Sequence, residues 1–134
     1  MNILFIDRDT IQTLARRTLI EERFGYGTEL ATSIADVHMK FKKGVYDLVI
    51  LDHHTVENGQ RCFDYITAED AEQKILTVSS AVRCVVRRCE DCVQRHNVRR
   101  LNNPTPLSNI MRMIEDFTFY DCDHYDHETN LLNV

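Results

Sequence analysis

The chain has 134 residues, of which 43% are hydrophobic and 28% are charged. These fractions are those of an ordinary soluble globular protein, and the length suffices for one domain with its own hydrophobic core. The net charge of −5 argues against a general nucleic-acid binder. No apolar run is long enough to span a membrane, and the N-terminus lacks the regions of a signal peptide, so we expect a cytoplasmic protein.

Short apolar runs alternate with stretches of helical periodicity over the first 117 residues. The predicted strands are 2–6, 28–32, 48–51, 74–78 and 98–101, and the predicted helices are about 10–23, 33–44, 61–69, 82–93 and a last one beginning at Pro104 and Pro106. The first helix has a stripe of mostly apolar residues, and the last helix has an inward stripe. The stripe of the first helix contains Ile11, Leu14, Ala15, Thr18, Leu19 and Glu22. The stripe of the last helix contains Leu107, Ile110, Met111, Ile114 and Phe117. Alternating strands and helices predict a parallel sheet with right-handed crossovers and helices on both faces.

The predicted domain covers residues 1–118. From Phe119 onward the periodicity is lost and acidic residues accumulate. We therefore interpret 119–134 as an acidic C-terminal tail or the start of a linker.

Two of the predicted strands end on an acidic residue. The run 48–51 ends abruptly on Asp52, and the first strand is followed by Asp7, Arg8 and Asp9. In parallel sheets covered by helices, ligands bind at the carboxyl ends of the strands. A carboxylate at that point suggests a functional site, although Asp52 could instead begin a turn or cap the next element.

Asp7 after the first strand, Asp52 after the third, Ser79 after the fourth and Pro104 after the fifth form a set. With this set, the chain resembles a response-regulator receiver domain of the chemotaxis-regulator type over residues 2–117. The resemblance implies a flavodoxin-like, doubly wound α/β fold with strand order 2-1-3-4-5. It also implies a role in bacterial two-component signalling, without enzymatic activity beyond self-phosphorylation.

The resemblance also assigns roles to residues. Asp52 would accept a phosphoryl group from a sensor histidine kinase, and Ser79 would be the switch hydroxyl. Asp7, Asp52 and the backbone carbonyl near His54 would hold magnesium, which prefers oxygen ligands. Phosphoryl transfer to a carboxylate brings two negative groups together, so it depends on positioning and on nearby cations.

The sequence departs from the family pattern around this site. Arg8 stands where a second acidic residue is usual, and Asn103 stands where a lysine precedes proline. Arg100 occupies the position of the switch aromatic, and the segment 52–59 lacks the usual proline. These departures predict a weak or absent magnesium site.

Two hypotheses follow from the departures. In the first, Arg8 faces solvent and Asp52 is still phosphorylated. In the second, Arg8 pairs with Asp52 and the chain is a pseudo-receiver, which binds a partner without phosphorylation.

A third hypothesis concerns the cysteines. Cys89, Cys92 and His96 share one face of a predicted helix, with Cys84 five residues before Cys89. A CxxC pair is typical of zinc sites and of redox sites, so the domain could respond to zinc or to oxidation. The alternative is that Cys89 is a small apolar residue of the buried stripe. A second candidate group of ligands, in the tail, comprises Cys122, His124 and His127.

Six arginines lie between Arg83 and Arg100, against Glu90 and Asp91. In receiver domains this region belongs to the face, here 82–117, that dimerises or meets a downstream protein. A basic face suits an acidic protein surface, and the resemblance also allows a homodimer. No nucleic-acid recognition motif accompanies the arginines, and a solvated helix face is the alternative interpretation.

Overall fold

A computed structural model describes residues 1–52, 58–79, 97–102 and 107–115 of the chain. Five strands are present in these ranges: β1 (Asn2–Ile6), β2 (Gly27–Ala31), β3 (Leu48–Asp52), β4 (Ile75–Ser79) and β5 (Val98–Asn102). All neighbouring strands are parallel, and the sheet has the order β2-β1-β3-β4-β5. The predicted fold class and strand order are therefore confirmed.

Four helices accompany the strands within the described ranges. They are α1 (Ile11–Phe24), α2 (Ile34–Lys40), α3 (Gly59–Glu69) and α4 (Leu107–Glu115). The predicted helix at 82–93, the two prolines before α4 and the tail 119–134 lie outside the described residues. Among the helices described, none is both long and apolar enough to cross a membrane.

The sheet separates two hydrophobic clusters because successive residues of each strand point to opposite faces. The α2/α3 side contains Leu4, Ile6, Ala31, Val37, Phe41, Tyr46, Val49, Leu51, Cys62, Phe63, Ile66, Ile75 and Val98. The α1/α4 side contains Ile3, Phe5, Ile20, Leu48, Ile50, Leu76, Val78, Leu101, Ile110, Met113 and Ile114. Strands β1 and β3 contribute buried side chains to both clusters, as expected for strands covered on both faces.

Helix α1 begins and ends as predicted. The Thr10 side chain accepts a hydrogen bond from the Thr13 N–H, and Gly25 ends the helix with a φ of 69°. The apolar stripe of α1, however, does not face the sheet: Ile11 is 88% exposed and Leu14 is 57% exposed.

The buried face of α1 is a mixed one. Thr13 and Ile20 are buried, and Arg16 and Arg17 are half-buried. Arg17 donates from Nε to the Thr28 hydroxyl at 3.1 Å, so its aliphatic stem packs while its charged end has a polar partner. The buried face of α1 therefore combines an apolar contact at Ile20 with a polar contact at Arg17, which the apolar stripe does not reveal.

Helix α2 begins as predicted but ends earlier. The Ser33 hydroxyl accepts from the Asp36 N–H at 3.1 Å, whereas the helix stops at Lys40 because Phe41 leaves it in an extended conformation and is buried. Gly44, the predicted end, instead lies in a following turn with a φ of 81°.

Helix α4 buries Ile110 and Ile114 as predicted, and it also buries Met113. Leu107 and Met111 are half-buried. Phe117, the last member of the predicted stripe, lies outside the described residues.

Candidate functional site

Asp7 and Asp52 lie at the same level of the sheet on neighbouring strands. Ile6 of β1 pairs with Leu51 of β3, and each aspartate is the next residue in its strand direction. The Asp7 N–H donates to the Ala31 carbonyl at 3.1 Å, so Asp7 still follows the strand path beyond β1. Neighbouring strands lie about 4.8 Å apart, and the register therefore brings the two backbones close together.

The two aspartates also share a face of the sheet. Phe5 and Ile50 belong to the α1/α4 cluster, and alternation returns Asp7 and Asp52 to that side two residues later. Asp7 is 7% exposed and Asp52 is 5% exposed. Two buried aspartates thus lie on neighbouring strands and on one face of the sheet, at its carboxyl edge.

One hydrogen bond and one ion pair involve the two oxygens of the Asp7 carboxylate. Oδ1 accepts from the Arg8 backbone N–H at 2.7 Å. Oδ2 lies 3.9 Å from a guanidinium nitrogen of Arg16, which α1 presents to the sheet. The side chains of Arg16 and Asp7 are 25% and 10% exposed, so water only partly screens this pair.

Sequence reasoning considered Arg8 but missed Arg16. Arg8 and Asp9 are both exposed to solvent. Arg16 lies nine residues after Asp7, and only the orientation of α1 against the sheet brings its guanidinium to the carboxylate. The polar character of the α1 face that carries Thr13, Arg16 and Arg17 is the signal that could have identified it.

Ser79, the predicted switch hydroxyl, ends β4 at the same edge. Val78 pairs with Asp52, and Ser79 pairs with Asn102, so the Ser79 backbone is one residue further along the adjacent strand. The side chains of Ser79 and Arg100 are not among those the structure describes. His54 and Asn103 lie outside the described residues.

The two carboxylates fit a hard divalent cation by type, since magnesium prefers oxygen ligands. Over the described ranges, no three or more His, Cys, Asp or Glu side chains are close enough together to hold a metal ion. A magnesium site would therefore need ligands beyond Asp7 and Asp52, such as the predicted His54 carbonyl or water.

The predicted zinc or redox residues Cys84, Cys89, Cys92 and His96, and the candidate group in the tail, all lie outside the described residues. They stay predictions. Cys62 is fully buried in α3, and burial raises the pKa of its thiol. Its thiolate is therefore disfavoured, which makes Cys62 a packing residue.

A cavity of about 390 Å³ lies at the opposite, amino edge of the sheet. Its lining includes Met1, Tyr46, Gln73 and Glu115. Ligands of parallel α/β sheets bind at the carboxyl ends of the strands, so this cavity is on the other side of the sheet from the expected crevice.

No protein-family model matches this sequence, and no curated protein matches it. Solved structures of receiver domains do resemble it. The non-phosphorylated HemR receiver domain from Leptospira biflexa is 20% identical with a TM-score of 0.68, and the alignment covers 92% of this chain and 98% of that one. A CheY-like response regulator receiver domain protein from Methanospirillum hungatei is 17% identical with a TM-score of 0.66, covering 87% and 91% of the two chains.

A two-component response regulator of the LuxR family from an Aurantimonas species is also similar. It is 16% identical with a TM-score of 0.68, and the alignment covers 98% of this chain and 95% of that one. The strand order, the parallel pairing and these similarities agree with one another. The chain therefore has the fold of response-regulator receiver domains.

Proposed function

We propose that this chain is an atypical receiver domain of two-component signalling, which accepts a phosphoryl group on Asp52. The observation that carries the proposal is the pairing of β1 with β3, which brings Asp7 and Asp52 together on one face at the carboxyl edge. The receiver fold adds to this support.

In the proposed reaction, a phosphoryl group moves to the Asp52 carboxylate from a donor. The donor is either an acyl phosphate or the phosphohistidine of a kinase. A carboxylate oxygen of Asp52 forms the new bond to phosphorus, and the bond from phosphorus to the donor's oxygen or nitrogen breaks. The donor leaves with that bond's electron pair, as acetate when acetyl phosphate is used. The chain contributes mainly a fixed position for the Asp52 carboxylate at the end of the buried strand β3.

Magnesium, when bound by Asp7 and Asp52, would neutralise charge on the transferring phosphoryl group. The Arg8 backbone N–H donates a 2.7 Å hydrogen bond to Oδ1 of Asp7 and so helps to position this carboxylate. Ser79 extends β4 beside this edge and is the proposed switch hydroxyl.

Receiver domains generally meet a histidine kinase and a downstream protein, and we assign the second contact to the 82–117 face. Of this face the structure describes β5, an edge strand, and α4, on which Ser108, Arg112 and Glu115 are exposed. The outer side of an edge strand and an exposed polar helix face are the kinds of surface that a partner contacts. The proposed location is the cytoplasm, where sensor kinases phosphorylate their targets.

Intact-protein mass spectrometry tests the proposal. Acetyl phosphate with excess magnesium should add the mass of one phosphoryl group, and Asp52→Asn should abolish the addition. Asp47→Asn is the matched control, because Asp47 precedes the same strand at its other end and accepts from the Asn2 N–H at 2.7 Å. An unmodified wild-type protein under these conditions would contradict phosphoacceptance.

The pseudo-receiver is the second candidate, favoured by one observation. Arg16 and the Arg8 N–H already engage both oxygens of Asp7, so protein groups alone offset part of the acidic charge. In this case the domain would bind its partner equally well as wild type and as Asp52→Asn. Equal affinities together with no phosphorylation would favour this candidate.

A further inference from the structure

We infer that Arg16 is a built-in counter-cation of Asp7 and competes with a divalent metal for that carboxylate. The inference deepens the proposed function, on which its biological meaning rests, by naming a residue that sets the metal affinity of the site. It concerns a positioning residue on α1, nine residues after Asp7 in the sequence.

The geometry of Asp7 carries the inference. A metal ligated by Asp7 needs a lone pair on Oδ1 or Oδ2. Oδ1 already accepts a 2.7 Å bond from the Arg8 N–H, and the Arg16 guanidinium lies 3.9 Å from Oδ2. A divalent cation approaching Oδ2 therefore meets a positive charge that α1 holds in position.

Burial strengthens this competition. Asp7 is 7% exposed, and the Arg16 side chain is 25% exposed, so the pair is only partly screened by solvent. Arg16 cannot lose its proton to relieve the repulsion, since a guanidinium stays charged in proteins. Metal binding must then either displace the guanidinium or accept its repulsion, and both weaken binding.

Arg17 offers a matched control. It follows Arg16 on the same helix, carries the same charge and is also half-buried. Its guanidinium donates to the Thr28 hydroxyl at 3.1 Å and to the Thr28 carbonyl at 3.4 Å. Neutralising Arg17 thus changes net charge by the same amount without touching the contact with Asp7.

The experiment measures Mn²⁺ binding by electron paramagnetic resonance, with Mg²⁺ as competitor. Arg16→Gln should bind Mn²⁺ at least about fivefold more tightly than wild type, the lower end of typical coupling between sites. Arg17→Gln should bind like wild type, and Arg16→Lys, which keeps a charge, should remain weak. Unchanged or weaker binding by Arg16→Gln, or an equal gain in Arg17→Gln, would overturn the inference.

A second measurement uses the wild-type protein, in case Arg16→Gln does not fold. Adding Mg²⁺ should shift the NMR signals of the Arg16 guanidinium together with the Arg8 amide. A shift of the Arg8 amide alone would overturn the inference.

The two proposals fail separately. Tighter Mn²⁺ binding in Arg16→Gln without phosphorylation of Asp52 would support the role of Arg16 and end the phosphoacceptor proposal. Phosphorylation of Asp52 together with unchanged Mn²⁺ binding in Arg16→Gln would support the phosphoacceptor proposal and end the proposed role of Arg16.

Discussion

Ile11 and Ile20 lie on opposite faces of α1, nine residues apart, and their environments differ completely. Ile11 is 88% exposed, whereas Ile20 is fully buried in the α1/α4 cluster. Nine residues at 100° each turn the helix by two and a half turns, so the two side chains must point in opposite directions. This orientation of α1 is the one that brings Arg16 to Asp7.

The orientation predicts unequal effects of substitution in α1. Ile20→Ala should lower the free energy of unfolding by about 2–5 kcal/mol, because it leaves a cavity in the cluster. Ile11→Ser should change it by less than about 0.5 kcal/mol, because Ile11 packs against little. Urea denaturation of both variants measures the difference, and a larger loss in Ile11→Ser than in Ile20→Ala would show that α1 is turned the other way.

A second prediction concerns alkaline pH. Burial raises the pKa of Tyr46, and the hydrogen bond that its hydroxyl donates to Glu29 at 2.5 Å raises it further. The raised pKa gives stability that is complete below the unfolded pKa of about 10 and is lost as pH rises toward the folded value. The free energy of unfolding should therefore fall progressively as the pH rises above about 10.

Tyr46→Phe tests this dependence. The variant should lose about 0.5–1.5 kcal/mol at neutral pH with its hydrogen bond. It should also show a shallower decline in the free energy of unfolding above about pH 10. Chemical denaturation at a series of pH values gives both quantities. An equally steep decline in the variant would assign the alkaline transition to other groups.

A third prediction concerns acid. The backbone N–H and the hydroxyl of Thr32, each 3.1 Å from an Asp36 oxygen, lower the pKa of this carboxyl. The contribution of Asp36 to stability is therefore complete above the unfolded pKa of about 3.9 and is lost as pH falls through the folded value.

Asp36→Asn should remove part of the acid dependence at the start of α2, and Asp64→Asn is the control. Asp64 also lies on a helix and accepts from the Gln60 amide at 3.0 Å, without a role at a helix start. Urea midpoints between about pH 2 and 6 provide the comparison. The hypothesis fails if the two variants keep the same slope.

A fourth prediction separates Cys62 from the cysteines of the redox hypothesis. Cys62 is fully buried, and burial raises the pKa of its thiol. Iodoacetamide should therefore modify Cys62 only on unfolding, since the thiolate is the reactive form. Peptide mass mapping of native and urea-unfolded protein measures this, and fast native labelling of Cys62 would contradict its burial.

The sequence predicted the sheet better than it predicted the helix faces. The strand 48–51 is apolar on both faces, so length and flanking acids were enough to place it. In α1 the apolar stripe predicted the helix but not its buried face, which carries Thr13, Ile20 and the half-buried Arg16 and Arg17. The periodicity of apolar residues predicts a helix, but it does not show which polar side chains of the helix have partners on a neighbouring strand.

At the candidate site, too, the sequence predicted local features but not tertiary contacts. Asp7 and Asp52 were identifiable because each follows an apolar run, a local feature. The contact of Arg16 with Asp7 depends on how α1 lies against β1 and β2, which is a tertiary relationship. No spacing within the first 16 residues specifies it.

β1 and β3 are interior strands, hydrogen-bonded to a neighbour on each side, and four of the five β1 residues are buried. The backbone beneath the two carboxylates is therefore held in place by the most protected hydrogen bonds of the sheet. If Asp52 is phosphorylated as proposed, the added negative charge acts on side chains around a fixed backbone. One of these side chains is Arg16, whose guanidinium lies 3.9 Å from the carboxylate of the neighbouring Asp7.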